Sequence, residues 1–281
     1  MIIGVDLGGT NARAGLIEKG VVAKSISNKL VNKHSLESTL EQLVGTIEPL
    51  MNEKVEGIGI GVPSVVDIEK GIVYDVVNIP SWKKVELKTI LEERFKIPVY
   101  VNNDVNCFAL GEHQYGSAKP FNSFVAISVG TGLGTAIVIN RELYVGVNCG
   151  AGEIGYFPYL DKNLEYYSSS SFFDIHSTTA EALFFAAKDG DPKALQVWQE
   201  YGHHLGQVLK VALYAYAPEA VILGGSISNA HKFYEESLIR SLDDFMYPSL
   251  LKQVKIIKSK TENIALLGAA ALVPVNTTAA V

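Results

Sequence analysis

Apolar positions in this chain come in short runs that alternate between two signatures: strand-like bursts, and stretches with apolar residues three and four apart. Residues 2–6 (IIGVD) form a β-branched burst that stops at a Gly-Gly pair. Residues 13–18 and 21–26 continue as further strands, which predicts a meander with tight turns. From Ser35, SLESTLEQLVGTIEPL places apolar residues at helical spacing behind a serine cap. GIGIGVP, from Gly57, reads as a short buried strand running into a glycine-proline loop. Residues 65–82 show no period and are expected to be irregular. LKTILEERF then predicts a helix and residues 98–102 (PVYVN) a strand, after which Asn103 and Asp104 open a helix through VNCFALGEHQYG.

The second half opens on the same design. SFVAISVGTGLGTAIVI, from Ser123, is strand, glycine-rich turn and strand, as IIGVDLGGTNARAGLI is at the start. Two such hairpins about 120 residues apart, each followed by helices and parallel-type strands, predict a duplicated α/β domain. A long helix is expected over about 192–216, and a buried strand over 220–223 ending at Gly224-Gly225. VKIIK gives the last strand and IALLGAAALV the last helix, whose small residues allow close packing. No Pro/Ser-rich linker divides the halves, so two closely coupled lobes are expected.

Composition narrows the class. The 281 residues are 48% hydrophobic and 19% charged, with mean hydropathy +0.18, which excludes a disordered chain. Thirty acidic against twenty-four basic residues leave a net charge of −6 without a basic stripe, so nucleic acid is not an expected partner. Two cysteines, Cys107 and Cys149, cannot build a disulfide framework or a cysteine zinc site. The first residues carry an acid at Asp6 and no basic region, unlike a secretory signal. No apolar run reaches about 18 residues, so no membrane span is expected. The composition predicts a soluble protein of a reducing, cytoplasmic compartment.

Candidate chemistry gathers at the glycine turns. DLGGT and GTGLG put Gly8, Gly9 and Thr10, and Gly130, Thr131 and Gly132, at strand–strand tips. Amide N–H groups there can hold phosphate oxygens with a threonine hydroxyl as a further donor, or the glycines can simply permit a tight turn. A P-loop GxxxxGK[ST] is absent, and DLGGTNAR lacks the GxGxxG spacing. Asp6 can order Mg²⁺ through water or accept local N–H bonds as an Asx turn. Asp104, between a strand end and a helix start, suits both a cap and a general base. His113, His176, His203 and His204 show no metal-ligand spacing. Cys107 is expected to be a small buried apolar group, and the tyrosines at 156, 159, 166 and 167 to pack a lobe face.

These segments together resemble the ROK sugar kinases, within the actin- and hexokinase-type ATPase superfamily. DLGGTNAR resembles the family's first phosphate motif, and GVPSVVD its GxPGxVD loop with Ser64 in place of the second glycine. VNIPSW resembles the sugar-contacting segment, and VNNDVNCFALGE the catalytic one. SVGTGLGTAIVINRELYVGVNCGAGEIGY is similar to the family signature, and LGGSIS and LLGAAAL to its adenosine-side motifs. The resemblance implies two ribonuclease-H-like α/β lobes with a cleft between them. The N-terminal lobe would comprise residues 1–117 plus 265–281, and the C-terminal lobe, residues 118–264, would carry the dimer contact. It further implies an ATP- and Mg²⁺-dependent kinase acting on a small-molecule sugar, working as a homodimer. Asp104 would be the general base. Asn78, Asn103, Glu153 and Glu165 would hold sugar hydroxyls. Asp6, Gly8, Gly9, Thr10, Gly130, Thr131 and Gly132 would serve the phosphates and Mg²⁺, and Gly224 and Gly225 the adenosine.

One segment departs from the family pattern. Members typically carry GEIGH followed by a cysteine cluster that holds a structural zinc. Here GEIGYFPYLDKNLEYYSSSS has Tyr156 for the histidine, lacks the cysteines and is shortened. No structural zinc is therefore expected, as in some N-acetylmannosamine kinases of the family. Tyr156 would either contact the sugar or fill the volume the metal loop vacates. A sugar-responsive ROK regulator or a non-catalytic sugar sensor is the alternative function; such regulators carry a helix-turn-helix ahead of the kinase-like part, and the chain is expected to start at its first strand.

Overall fold

A computed structural model of the protein describes residues 1–274. The chain forms two units. The first takes in Met1–Lys119, Val145–Ala151 and the chain from Thr261; the second takes in Pro120–Tyr144 and Gly152–Lys260. Of the segment 265–281 expected to complete the N-terminal lobe, residues 275–281 lie outside the described residues.

In the first unit the alternating start of the chain becomes the antiparallel meander β1 (Ile2–Leu7), β2 (Asn11–Glu18) and β3 (Val21–Lys29). Helix α1 (Leu36–Ile47) follows, with the Ser35 hydroxyl accepting the Ser38 N–H at 3.2 Å. Strand β4 (Gly57–Val62) lies parallel to β1 and is buried at every residue, as a central strand covered on both faces must be. Residues 65–82 are more ordered than their pattern suggests. Two strands within them, β5 (Val65–Asp67) and β6 (Ile72–Tyr74), form a small antiparallel sheet with β7 (Lys84–Val85). Strands of two or three residues are too short to display a period. Burial of Val66, Val73, Trp82 and Val85 holds them instead, and the Trp82 indole donates to Thr39 Oγ1 at 2.7 Å. Helix α2 (Leu87–Phe95), strand β8 (Val99–Asn103) parallel to β4, and helix α3 (Asp104–Gln114) complete this run.

The second unit repeats the plan. Strands β9 (Phe124–Val129), β10 (Leu133–Ile139) and β11 (Glu142–Tyr144) form the meander. A short hairpin, β12 (Pro158–Tyr159) and β13 (Lys162–Asn163), precedes helices α4 (Leu164–Ser168), α5 (Ser170–Ile175), α6 (Ala180–Lys188) and α7 (Pro192–Tyr216). Strand β14 (Ala220–Gly224) runs parallel to β9, helices α8 (His231–Arg240) and α9 (Pro248–Leu251) follow, and β15 (Lys255–Lys258) runs parallel to β14. The sheet orders are β3-β2-β1-β4-β8 and β11-β10-β9-β14-β15, the same topology twice. The expected duplicated ribonuclease-H-like α/β fold is thus present. The second unit's core is aromatic, with Phe172, Phe173, Trp198, Tyr201 and Tyr234 packed around α7.

Helix α10 (Ile264–Ala270) returns to the first unit. It stops short of the expected ten residues because Val273 precedes Pro274, which disfavours helical backbone there. Its backbone lies directly on its neighbours. A Cβ added to Gly4 of β1 would fall 2.0 Å from the Leu266 carbonyl oxygen, and one on Gly59 of β4 1.8 Å from that of Ala269. On Gly268 it would fall 1.7 Å from the Cys107 carbonyl oxygen of α3. Among the described residues no helix is long and apolar enough to cross a membrane.

Two helical glycines should therefore respond oppositely to alanine. Gly268→Ala is expected to lose about 1–3 kcal/mol through overpacking. Gly45→Ala, exposed in α1 with nothing within 4 Å of the new methyl, is expected to gain roughly 0.5–1 kcal/mol. Urea unfolding midpoints check both.

Candidate functional site

In the first unit, β1 delivers Asp6 to the base of the first glycine turn. Its Oδ2 lies 3.8 Å from Arg13 Nη1 on the neighbouring strand, and Arg13 Nη2 donates to Asn263 Oδ1 at 2.8 Å. Burial pushes the Asp6 carboxyl above its ordinary range, and the Arg13 charge opposes this only in part. A half-buried carboxylate with one distant cation is a donor suited to a hydrated divalent ion.

The turn itself is ordered by its carbonyls. Gly8 N–H donates to the Asn11 carbonyl at 2.9 Å, Leu30 N–H to that of Thr10 at 2.8 Å, and Lys33 Nζ to that of Gly9 at 2.8 Å. Among the described residues the N–H groups of Gly9 and Thr10 meet no protein acceptor. Gly9 must lack a side chain, since its Cβ would sit 2.4 Å from Asn78 Cβ. The first turn and the Asn78 loop therefore touch directly. Lys33 was not among the residues the sequence singled out, because its bond to Gly9 joins loops 24 positions apart.

At the end of β8 the two capping candidates separate. Asn103 is the cap of α3: its Oδ1 accepts from Val105 N at 2.9 Å and Asn106 N at 3.3 Å, and its Nδ2 donates to the Ser64 carbonyl at 3.2 Å. One N–H of its carboxamide is left for a ligand. Asp104 is the first residue of the helix, half-buried, with Oδ1 accepting Val105 N–H at 2.8 Å. Behind it, Asn102 Oδ1 accepts from Asn103 N at 2.8 Å, Asn106 Nδ2 at 2.9 Å and Cys149 Sγ at 3.2 Å. This buried network was invisible in sequence, since Cys149 reaches it from the separate segment Val145–Ala151. Cys107 is buried as expected. Burial holds its thiol well above the ordinary value, with Asp104, then Asp6, then Cys149 adding to the effect. The base candidate and the turn carboxylate thus bear on one buried sulfur.

The second unit builds its turn in the same way. Gly130 N–H donates to the Gly132 carbonyl at 2.9 Å, and Ser170 holds the Gly130 and Thr131 carbonyls through its N–H (2.9 Å) and Oγ (3.0 Å). Among the described residues the N–H groups of Thr131 and Gly132 meet no protein acceptor. Glu165 Oε2 accepts the Leu133 N–H at 2.9 Å and would lie 2.8 Å from a Cβ on Gly132. Gly225, at φ +83°, leaves no room for a Cβ, which would meet the Val129 carbonyl oxygen at 2.2 Å. A Cβ on Gly130 would meet Ser226 Oγ at 3.3 Å, so the Gly224-Gly225 corner adjoins the second turn.

Glu153, Tyr156 and Glu165 come together beside that turn. Loss of hydration and then the charge of Glu165 push the Glu153 carboxyl above its ordinary range. The Tyr156 phenol is raised first by Glu165, then by desolvation and Glu153. Tyr156 is 62% exposed, so it fills no vacated core volume. Its neighbours do pack: Tyr159 and Tyr167 meet edge to face, and Tyr159 Oη shares a hydrogen bond of 3.0 Å with His204 Nδ1. His204 and His176 face Glu200 at 3.9 and 3.6 Å. Among the described residues no group of three His, Cys, Asp or Glu side chains is arranged to hold a metal.

Comparison with known proteins places these features in a family. The model of the ROK family matches residues 2–165 and 161–276. The chain is 29% identical to a glucokinase of Thermotoga maritima, over 97% of this chain and 96% of that protein. It is 30% identical to a xylose repressor of Bacillus spizizenii, over 77% of this chain and 60% of the repressor. Among solved structures it is similar to a ROK hexokinase from Thermus thermophilus, with TM-score 0.79, 27% identity and coverage of 96% and 97% of the two chains.

The charge coupling yields a titration test. Glu165→Gln removes the second cause of the raised Glu153 value and leaves the first, so the Glu153 midpoint should fall yet remain above an ordinary glutamate. Carbon-13 shifts of the Glu153 carboxyl against pH would read it; an unmoved midpoint would show that the two carboxylates do not interact.

Proposed function

The chain belongs to the ROK family, and on that premise we propose that it is an ATP-dependent sugar kinase, phosphorylating a hexose or N-acylhexosamine at its 6-hydroxyl. The observation that carries this reading is the division of labour after β8. Asn103 caps the helix through Val105 and Asn106, so capping does not depend on the Asp104 carboxylate, which shares only the Val105 N–H and suits proton transfer. The glucokinase and hexokinase relatives support the same reaction class.

In the reaction, a sugar hydroxyl oxygen bonds to the γ-phosphorus as the bond from that phosphorus to the β–γ bridging oxygen breaks. The hydroxyl proton passes to Asp104, and ADP leaves. Such transfers rest mainly on positioning and charge neutralisation. Asn78, the remaining N–H of Asn103, Glu153 and Glu165 hold sugar hydroxyls. The N–H groups of Gly9, Thr10, Thr131 and Gly132 receive phosphate oxygens, Gly8 and Gly130 shape the turns, and Gly224 and Gly225 admit the adenosine. Asp6 would hold Mg²⁺ through water, and Mg²⁺ would supply neutralisation of the phosphate charge. Tyr156, exposed near Glu165 and Glu153, offers a hydroxyl to the sugar and a ring face to an acyl methyl.

The xylose repressor relative favours a second reading, a sugar-responsive regulator. ADP release measured across glucose, fructose, mannose, allose, N-acetylglucosamine and N-acetylmannosamine separates the two, because a regulator turns over none of them. For the kinase, Asp104→Asn is expected to lower kcat by about 10²–10⁴ while sugar and nucleotide binding persist in calorimetry. A loss below about tenfold would remove Asp104 from the role of base. Tyr156→Phe is expected to cost ~0.5–1.5 kcal/mol in kcat/KM for the sugar with the thermal midpoint unchanged. Equal kinetics would leave the phenol without a part in recognition.

A further inference from the structure

Lys33 belongs to none of the motifs, yet it is bonded to both elements of the first unit's candidate site. Its ammonium donates to the Gly9 carbonyl at 2.8 Å. Its own carbonyl accepts twice from Ser81, from the N–H at 3.2 Å and the hydroxyl at 2.8 Å. Ser81 closes the loop that presents Asn78, and Asn78 in turn abuts Gly9. The side chain is half-buried, so its reach to the turn is not that of a freely solvated lysine.

The bond to Gly9 has a directional consequence. The Gly9 carbonyl and the Thr10 N–H share one peptide plane, and in a trans peptide they point in opposite directions. The described residues contain no cis peptide bond. Holding the Gly9 oxygen from one side therefore aims the Thr10 N–H to the other. The Thr10 carbonyl is fixed by Leu30 N–H at 2.8 Å, so both carbonyls of the tip are tied back on the same stretch of chain, residues 30–33. A neutral donor would orient the peptide equally well. An ammonium adds a positive charge one hydrogen bond away from the turn, in a protein whose net charge of −6 otherwise disfavours anions. The double bond from Ser81 fixes the backbone from which the lysine starts.

We propose that Lys33 is a positioning residue of the first anion turn: it orients the Thr10 N–H and lends the turn a cation, with Ser81 as its anchor. The proposal rests on the reading of that turn as a nucleotide phosphate site.

Calorimetric titration with Mg²⁺ and the non-hydrolysable analogue AMPPNP tests it on the full chain. Lys33→Met should weaken binding roughly tenfold or more, the loss expected for a charged hydrogen bond. Lys33→Arg, which keeps a charged donor, should recover most of that loss, and Ser81→Ala should fall between Lys33→Met and the wild type. In steady-state kinetics the KM for ATP should rise while the KM for the sugar holds, and thermal midpoints should not move. A merely structural role would not give rescue by arginine or a loss confined to the nucleotide. If the wild type binds AMPPNP and Lys33→Met binds it equally, or if Lys33→Arg is no better than Lys33→Met, the proposal is overturned. If the wild type binds no AMPPNP, the phosphate reading of the turn fails and this proposal with it.

Discussion

Everything the first unit offers chemically depends on a backbone-to-backbone contact. Helix α10 approaches β1, β4 and α3 so closely that Gly4, Gly59 and Gly268 have no space for a methyl group. Contact at that range fixes α3 against the central strands more rigidly than interleaved side chains would, since no rotamer can absorb a shift. The start of α3 carries Asp104, and β1 carries Asp6. Gly61 of β4 tightens the same corner, because its Cβ would lie 3.2 Å from Asp104 Cα and 3.1 Å from Cys107 Sγ. The position of the Asp104 carboxylate is thus set in part by glycines on β4 and α10.

The two glycine turns share one design. An acidic chain has few cations to spare for a polyanion, and backbone dipoles provide an alternative. In each unit the carbonyls at the tip are pulled back onto other protein groups, Leu30 and Lys33 in one and Ser170 in the other. The opposed N–H groups are left facing outward. The units differ in what stands beside the turn: a lysine ammonium at Gly9, and the Glu165 carboxylate at Leu133.

Elements with a period or a cap were legible in the sequence. The alternation at 2–6, the Ser35 cap and the all-apolar β4 each follow from local rules, and the repeated hairpin exposed the duplication. Residues 65–85 were not legible, since their strands are held by the burial of Trp82 against α1 and not by any pattern of their own. At the site, residue types and positions could be read, but Asn103 and Asp104 both suit a cap, and only the geometry assigns it. Lys33 and Cys149 escaped for a shared reason. Each acts through a contact between segments separated in the chain, and no local pattern announces that contact.

The order of synthesis now acquires a meaning. Strands β1 and β4 precede the second unit in the chain, yet the helix that covers Gly4 and Gly59 follows it, at residues 264–270. A nascent chain that has completed the whole second unit still presents bare glycine-lined strands in the first, and α3 lacks one of the surfaces it seats against. A fragment released early by the ribosome would therefore own both glycine turns but not a firmly held Asp104. Docking of α10 thus acts as a late check: Asp104 is firmly held only in a chain that has passed residue 270.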